Sequence, residues 1–188
     1  MRMSVIATVL CITLTACGAP ATMAAAPAAT ATPYCGITWG STDKAAGDVS
    51  TAPLVSVSTG RHDCWDRIVF EMNGTAQGYN VRYSAEVLTD GEGVDLVPYT
   101  AGGAFLWVTV RAPAYDPSGI PTIETTTGDH VVTVLRYDTL RDMVFGGSFE
   151  GYTTFAVGVR ARLPFRVLLL TGPGTHSRIV VDIAHRWS

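Results

Sequence analysis

At 188 residues, 47% hydrophobic and 15% charged, the chain has room for one ordinary domain with tails and not comfortably for two. That hydrophobic share, with a mean hydropathy of +0.25, excludes a disordered polymer. A formal net charge of −3 excludes a nucleic-acid binder, because no surplus of cations is available to displace phosphate counterions.

Arg2 is the only charged side chain before Asp43. Val5–Leu14 is a largely apolar run of ten residues, about half of what a helix needs to cross a bilayer. A positive start, a short apolar run and small residues after it predict an export signal over residues 1–16. The ending Leu14-Thr15-Ala16-Cys17 resembles the bacterial lipobox. That resemblance implies that Cys17 receives a diacylglycerol and fatty acyl chains such as palmitate and becomes the first residue. An ordinary cleavage site with an incidental cysteine is the competing reading. Acyl chains contribute about 0.8 kcal/mol per buried CH₂, so two or three hold a soluble domain at a membrane. The expected location is the extracytoplasmic face of the cell membrane.

Of the 17 residues Gly18–Tyr34, 14 are Ala, Pro or Thr, which bury nothing large and cannot repay their ordering entropy. Residues 17–34 are therefore expected to be a tether, and residues 35–188 the domain. Pro20, Pro27 and Pro33 cut short the competing helix through Met23–Ala29. Cys11 leaves with the signal and Cys17 takes lipid, so Cys35 and Cys64 remain, an even pair that reads as a disulfide outside the cytoplasm. Closing that loop is worth about 3 kcal/mol on the chain-entropy model. Two lone thiols lack the paired spacing of a zinc set, so no metal and no cofactor is expected.

From Leu54 onward, short β-rich runs alternate with turn residues. Strands are predicted over Trp65–Met72, Tyr79–Leu88, Phe105–Ala112, His130–Tyr137, Thr153–Leu163, Phe165–Thr171 and Arg178–His185. The breaks between them carry Asn73-Gly74, Asp90-Gly91, Gly102-Gly103, Asp116-Pro117-Ser118-Gly119, Gly146-Gly147 and Gly172-Pro173-Gly174. Ile68, Phe70 and Met72 alternate onto one face; so do Val157, Val159, Ala161 and Leu163, and Ile179, Val181 and Ile183. Many short strands with regular turns predict an all-β fold, an antiparallel β-sandwich. Only Thr139–Phe145 has a helical spacing, so at most one short helix is expected. Arg67-Ile-Val-Phe-Glu-Met72 and Arg178-Ile-Val-Val-Asp-Ile183 echo one another, each with a core-facing isoleucine and an acid on the opposite face. Each of two sheets could carry one such strand.

Cys64-Trp-Asp-Arg-Ile-Val-Phe-Glu71, Gly78-Tyr-Asn-Val-Arg-Tyr83, Phe149-Glu-Gly-Tyr152 and Arg178-Ile-Val-Val-Asp182 resemble the AMIN-like domain of actinobacterial lipoproteins. The resemblance runs from about Leu54 to Trp187. It implies a relation to AMIN domains, β-sandwiches that place amidases and secretion channels in the cell envelope, some by binding peptidoglycan. Its motifs mark strands rather than a reactive centre, and no attached amidase domain is expected. No functional residue is carried over from it.

Catalytic patterns are weak. Gly146-Gly-Ser148-Phe-Glu150 puts glutamate where a nucleophile elbow has its last glycine. His62, His130, His176 and His185 form no His-x-x-x-His pair. Asp63/Asp66 and Asp90/Glu92/Asp95 pair carboxylates, but the second group puts Val94 where a calcium loop needs oxygen and reads as a hairpin turn. The domain is not expected to be an enzyme.

The 12 arginines against one lysine, Lys44, are more informative. Arg160 and Arg162 are predicted on one face of a strand, with Arg166 past Pro164, and Tyr152 and Phe155 nearby to stack on sugars. A guanidinium fork suits carboxylates or phosphates of envelope polymers. The competing reading is a solvated face whose arginines pair with acids such as Glu71 or Asp182. The expected function is a lipid-anchored envelope module that binds cell-wall polymer such as peptidoglycan, or an envelope protein. The alternative is a carrier with an apolar cavity between the sheets, lined by Phe105–Val110 and Val167–Leu170.

Overall fold

In the computed structural model, Trp65–Met72 and Phe165–Thr171 are strands over the ranges that the sequence predicts. The structure describes residues 32–187. The export signal, Cys17 and the tether up to residue 31 lie outside the described residues.

Nine strands follow one another: β1 (Lys44–Ala46), β2 (Leu54–Arg61), β3 (Trp65–Met72), β4 (Tyr79–Ser84), β5 (Ala104–Val110), β6 (Leu140–Phe149), β7 (Tyr152–Val159), β8 (Phe165–Thr171) and β9 (Ser177–Ala184). They form two antiparallel sheets. The first, sheet A, has the order β2-β3-β9-β8; the second, sheet B, has β1-β4-β5-β7-β6. Between them lies the core predicted from alternation, with Ile68, Phe70 and Met72 of β3 and Ile179, Val181 and Ile183 of β9 fully buried. Phe155 stacks between Phe70 and Phe145, with ring centroids 5.1 and 5.5 Å away. The fold is the antiparallel β-sandwich expected, and its only helical elements among the described residues are two 3₁₀ turns, Tyr34–Gly36 and Val97–Tyr99.

Several boundaries differ from the expectation, each for a local reason. Thr139–Phe145 is not a helix but most of β6. Met143, Val144 and Phe145 are all buried because β6 is covered on both faces, which erases the alternation that marks a one-sided strand. His130–Tyr137 is not a strand. It touches β6 through the bridge of His130 to Val144 and the bond from the Val131 N–H to the Met143 carbonyl, then leaves the edge. Its valines and Tyr137 pack against the core as half-buried plugs. β2, rich in Ser, Thr and Gly, gives little alternation and is found only through its pairing with β3.

Thr153–Leu163 stops being a strand at Val159. There the chain crosses from sheet B to sheet A, and Tyr83 clamps the crossing by donating to the Leu163 carbonyl at 2.7 Å and accepting from its N–H at 3.0 Å. The two echoing segments, expected on separate sheets, are neighbours in one sheet. Antiparallel pairing sets Arg67 opposite Asp182 and Glu71 opposite Arg178. Cys35 and Cys64 form the expected disulfide, with Cα atoms 6.5 Å apart, and fasten the first described turn to the residue before β3.

Candidate functional site

The outward face of sheet A is built by register. Arg67 of β3, Asp182 of β9 and Arg166 of β8 lie in one row across three strands. Asp182 is fully buried and accepts from both guanidinium groups, Arg67 Nε at 2.6 Å and Nη2 at 2.9 Å and Arg166 Nε at 2.9 Å, with Arg166 Nη2 in ion-pair contact at 2.8 Å. The hydrogen bond to Asp182 raises the Arg67 pKa above its ordinary value, against the pull of desolvation. Two cations on one carboxylate leave an excess of one positive charge at a partly buried site.

Aromatic rings frame that charge. The Arg166 guanidinium lies 5.0 Å from the Trp65 ring and 5.4 Å from Trp39, and Arg67 lies 5.9 Å from Trp65. His62 stacks on Trp65 at 5.1 Å. The disulfide holds this arrangement, because Cys64 precedes Trp65 and Cys35 lies four residues before Trp39. The Trp65 indole N–H is buried and has no protein partner.

Arg160 and Arg162 are exposed at the same end of the sandwich, in the crossing after β7 rather than on a strand face. Arg160 donates to the carbonyls of Asp138 (3.2 Å) and His185 (2.6 Å). Arg162 donates to the Ser41 carbonyl and lies 4.7 Å over the ring of Tyr83. Burial pushes the Tyr83 hydroxyl up to about 12, against the Leu163 bond and the Arg162 charge, so it stays protonated as a donor. Trp187, 52% exposed, donates its indole N–H to the Arg162 carbonyl. The aromatic partners of these arginines are thus Trp39, Trp65, Tyr83 and Trp187.

The two aromatic residues named from sequence are elsewhere. Phe155 is fully buried in the core and cannot stack on a ligand. Tyr152 is exposed at the opposite end of β7, a strand length of about 25 Å from Arg160. Sequence proximity misled because a strand carries neighbours apart along its axis. Trp39, Trp65 and Arg67 were the residues missed. For Arg67 the signal was the echo, whose arginine and acid become a cross-strand pair once the two segments adjoin; Trp39 and Trp65 lie outside it.

Several of the other carboxylates serve the backbone. Asp66, fully buried, accepts from the N–H groups of Thr139 and Leu140 and from His185. The Asp95 carboxylate takes the N–H groups of Val87 and Val97, while Asp90 accepts from Thr154. No metal-ligating cluster of three or more occurs among the described residues. Ser148 lies within β6, and its hydroxyl bonds Ala114, Tyr152 and Thr153. The space between the sheets is filled. Leu106, Val108 and Val110 are core, Phe105 and Trp107 face outward, and Leu169 and Leu170 are exposed. The clefts of about 570 and 450 Å³ are open surface depressions beside His130.

Fold and face together define a β-sandwich domain whose distinctive surface is an arginine–aromatic end held by a disulfide. Residues 52–185 match the AMIN-like domain model, and the chain belongs to that family. No curated protein and no solved structure matches it.

Proposed function

We propose that this domain is a non-enzymatic binding module of the cell envelope, held to the extracytoplasmic face of the membrane by lipid on Cys17. It grips an anionic wall polymer at the arginine–aromatic end. The observation that carries this reading is the excess positive charge of Arg67 and Arg166 on Asp182, flanked by the faces of Trp39 and Trp65. Guanidinium forks match carboxylates and phosphates, and indole faces match the apolar faces of sugars. Membership of the AMIN-like family supports the envelope setting. The burial of Leu106, Val108 and Val110 in the core supports this reading over an apolar carrier.

Co-sedimentation of the full chain with insoluble peptidoglycan tests the reading. Arg160→Gln with Arg162→Gln should weaken binding several-fold at low salt and less at high salt, because screening already weakens the native contact. Trp187→Ala should weaken it at both. The fold should persist, since both side chains are exposed and hydrogen-bond only to backbone carbonyls. Wild-type-like sedimentation at every salt concentration places the site elsewhere; unfolding of the double variant makes these arginines structural. Cys17→Ala should move the protein out of the membrane fraction, and an unchanged, detergent-dependent variant removes the anchor.

A further inference from the structure

Sheets end in edge strands, and an edge is a row of unpaired N–H and C=O groups that any extended chain can join. Three of the four edges here are guarded. β1 has only three residues, and β6 is bulged twice and bonded along its rim by Gly128, Asp129 and Val131. β2 has a register shift between Leu54 and Ser56 and ends on Arg61. β8 has none of these devices over Val167-Leu168-Leu169-Leu170-Thr171: no charge, no proline and no bulge.

The direction of its free groups is fixed by register. Gly172 N–H bonds the His176 carbonyl, and Ala184 N–H bonds the Pro164 carbonyl, so even-numbered residues of β8 face β9. Odd-numbered residues face outward. Phe165 N–H takes the Gly40 carbonyl at 2.8 Å, which closes the edge at that end. Val167, Leu169 and Thr171 remain unpaired along the edge, and Leu169 and Leu170 are 39% and 36% exposed despite lying in a strand.

We propose that β8 pairs with β8 of a second copy of this chain, antiparallel about Leu169, joining two four-stranded sheets into one of eight. The stretch is its own complement. A two-fold axis at Leu169 sets Val167 opposite Thr171, Leu169 opposite itself and Leu168 opposite Leu170. Each odd-numbered pair is the hydrogen-bonded kind, so all six free backbone groups find partners. Leu169 meets Leu169 and Val167 meets Thr171 on one face, Leu168 meets Leu170 on the other, and Arg166 falls opposite Gly172, so no like charges face one another. This proposal is independent of the polymer-binding reading.

Substituted full-length chain, in detergent, tests it. Leu169 would sit about 5.5 Å, Cα to Cα, from its copy, within disulfide reach. Leu169→Cys should therefore run as a disulfide-linked dimer on non-reducing gels, while Val167→Cys, four residues out of register with itself, should not. The unsubstituted chain is the blank for the native cysteines. In sedimentation velocity, Leu169→Lys should weaken self-association by roughly tenfold or more, and mixing it with Leu169→Glu should restore association. A native chain that stays monomeric at every concentration, a Val167→Cys dimer as abundant as that of Leu169→Cys, or a Leu169→Cys adduct with a different protein overturns it.

Discussion

The outward faces of the two sheets start from the same geometry and end differently. On sheet B, Ala156 and Gly158 of β7 face outward, and the chain between β4 and β5 lies down on them. A Cβ at Gly158 would fall on the Ala101 carbonyl oxygen, so only glycine permits this approach. Val87 and Leu96 then form a second small core with Val144 and Ala156, and the Ala101 N–H bonds the buried Asp142. On sheet A the corresponding positions hold Arg67, Arg166, Arg178 and Trp65, too long and too charged for a backbone to cover. Covering them would strip water from cations that one buried aspartate already serves. Small residues outward invite the chain's own loop; long cationic ones keep a face accessible to other molecules.

The largest test of this contrast is Asp182→Ala. It leaves two guanidinium groups without their carboxylate, and breaking a buried pair costs about 3–5 kcal/mol, read by chemical denaturation. A loss below about 1 kcal/mol would mean that solvent, not Asp182, satisfies those arginines. Next, Cys35→Ser with Cys64→Ser should cost about 3 kcal/mol under oxidising conditions. Hydrogen exchange should rise first around Trp39 and Trp65 and leave Val87 and Leu96 protected; equal loosening of both faces would break the comparison.

Gly158→Ala acts on the other face. Its methyl meets backbone rather than a flexible side chain, so about 1–3 kcal/mol should be lost. Faster amide exchange should be confined to residues 96–103, with the cluster around Asp182 unchanged. The smallest effect belongs to Asp90, in the same loop. Burial pushes its carboxyl up to about 6 from 3.8, against the hydrogen bond from Thr154. The folded chain thus binds this proton more tightly than the unfolded one. Ionisation costs stability above about pH 6, and the cost fades as pH falls towards 3.8. Asp90→Asn should exceed the native chain by up to about 1 kcal/mol at about pH 8, allowing for its partial exposure, and match it near pH 4. A constant difference across that range would assign the effect to packing.

The sandwich was legible because β3 buries one face, and a one-sided strand writes its period of two into the sequence; β9 is buried on both faces, but Arg178 and Asp182 still mark its outward side. Phe165–Thr171 was legible because Pro164 and the Gly172-Pro173-Gly174 turn bound it. The strand β6 was illegible for the opposite reason, since burial on both sides leaves Met143, Val144 and Phe145 without a period. Of the candidate site, composition pointed to arginine and the alternation of residues 178–183 put Asp182 on the outward face. Nothing local could tell Phe155 in the core from Trp39 at the surface.

Local chemistry by itself determined the all-β class, the cysteine pair and the core faces of β3 and β9, because turn propensity, thiol number and side-chain alternation are properties of neighbouring residues. Strand order was decided only in three dimensions. The chain placed β3 beside β9 across more than a hundred residues, and that one adjacency turned two echoing segments into an arginine–aspartate–arginine row. Pairing free energy depends on which strands share a sheet, and a sequence read along its length contains no term for that choice.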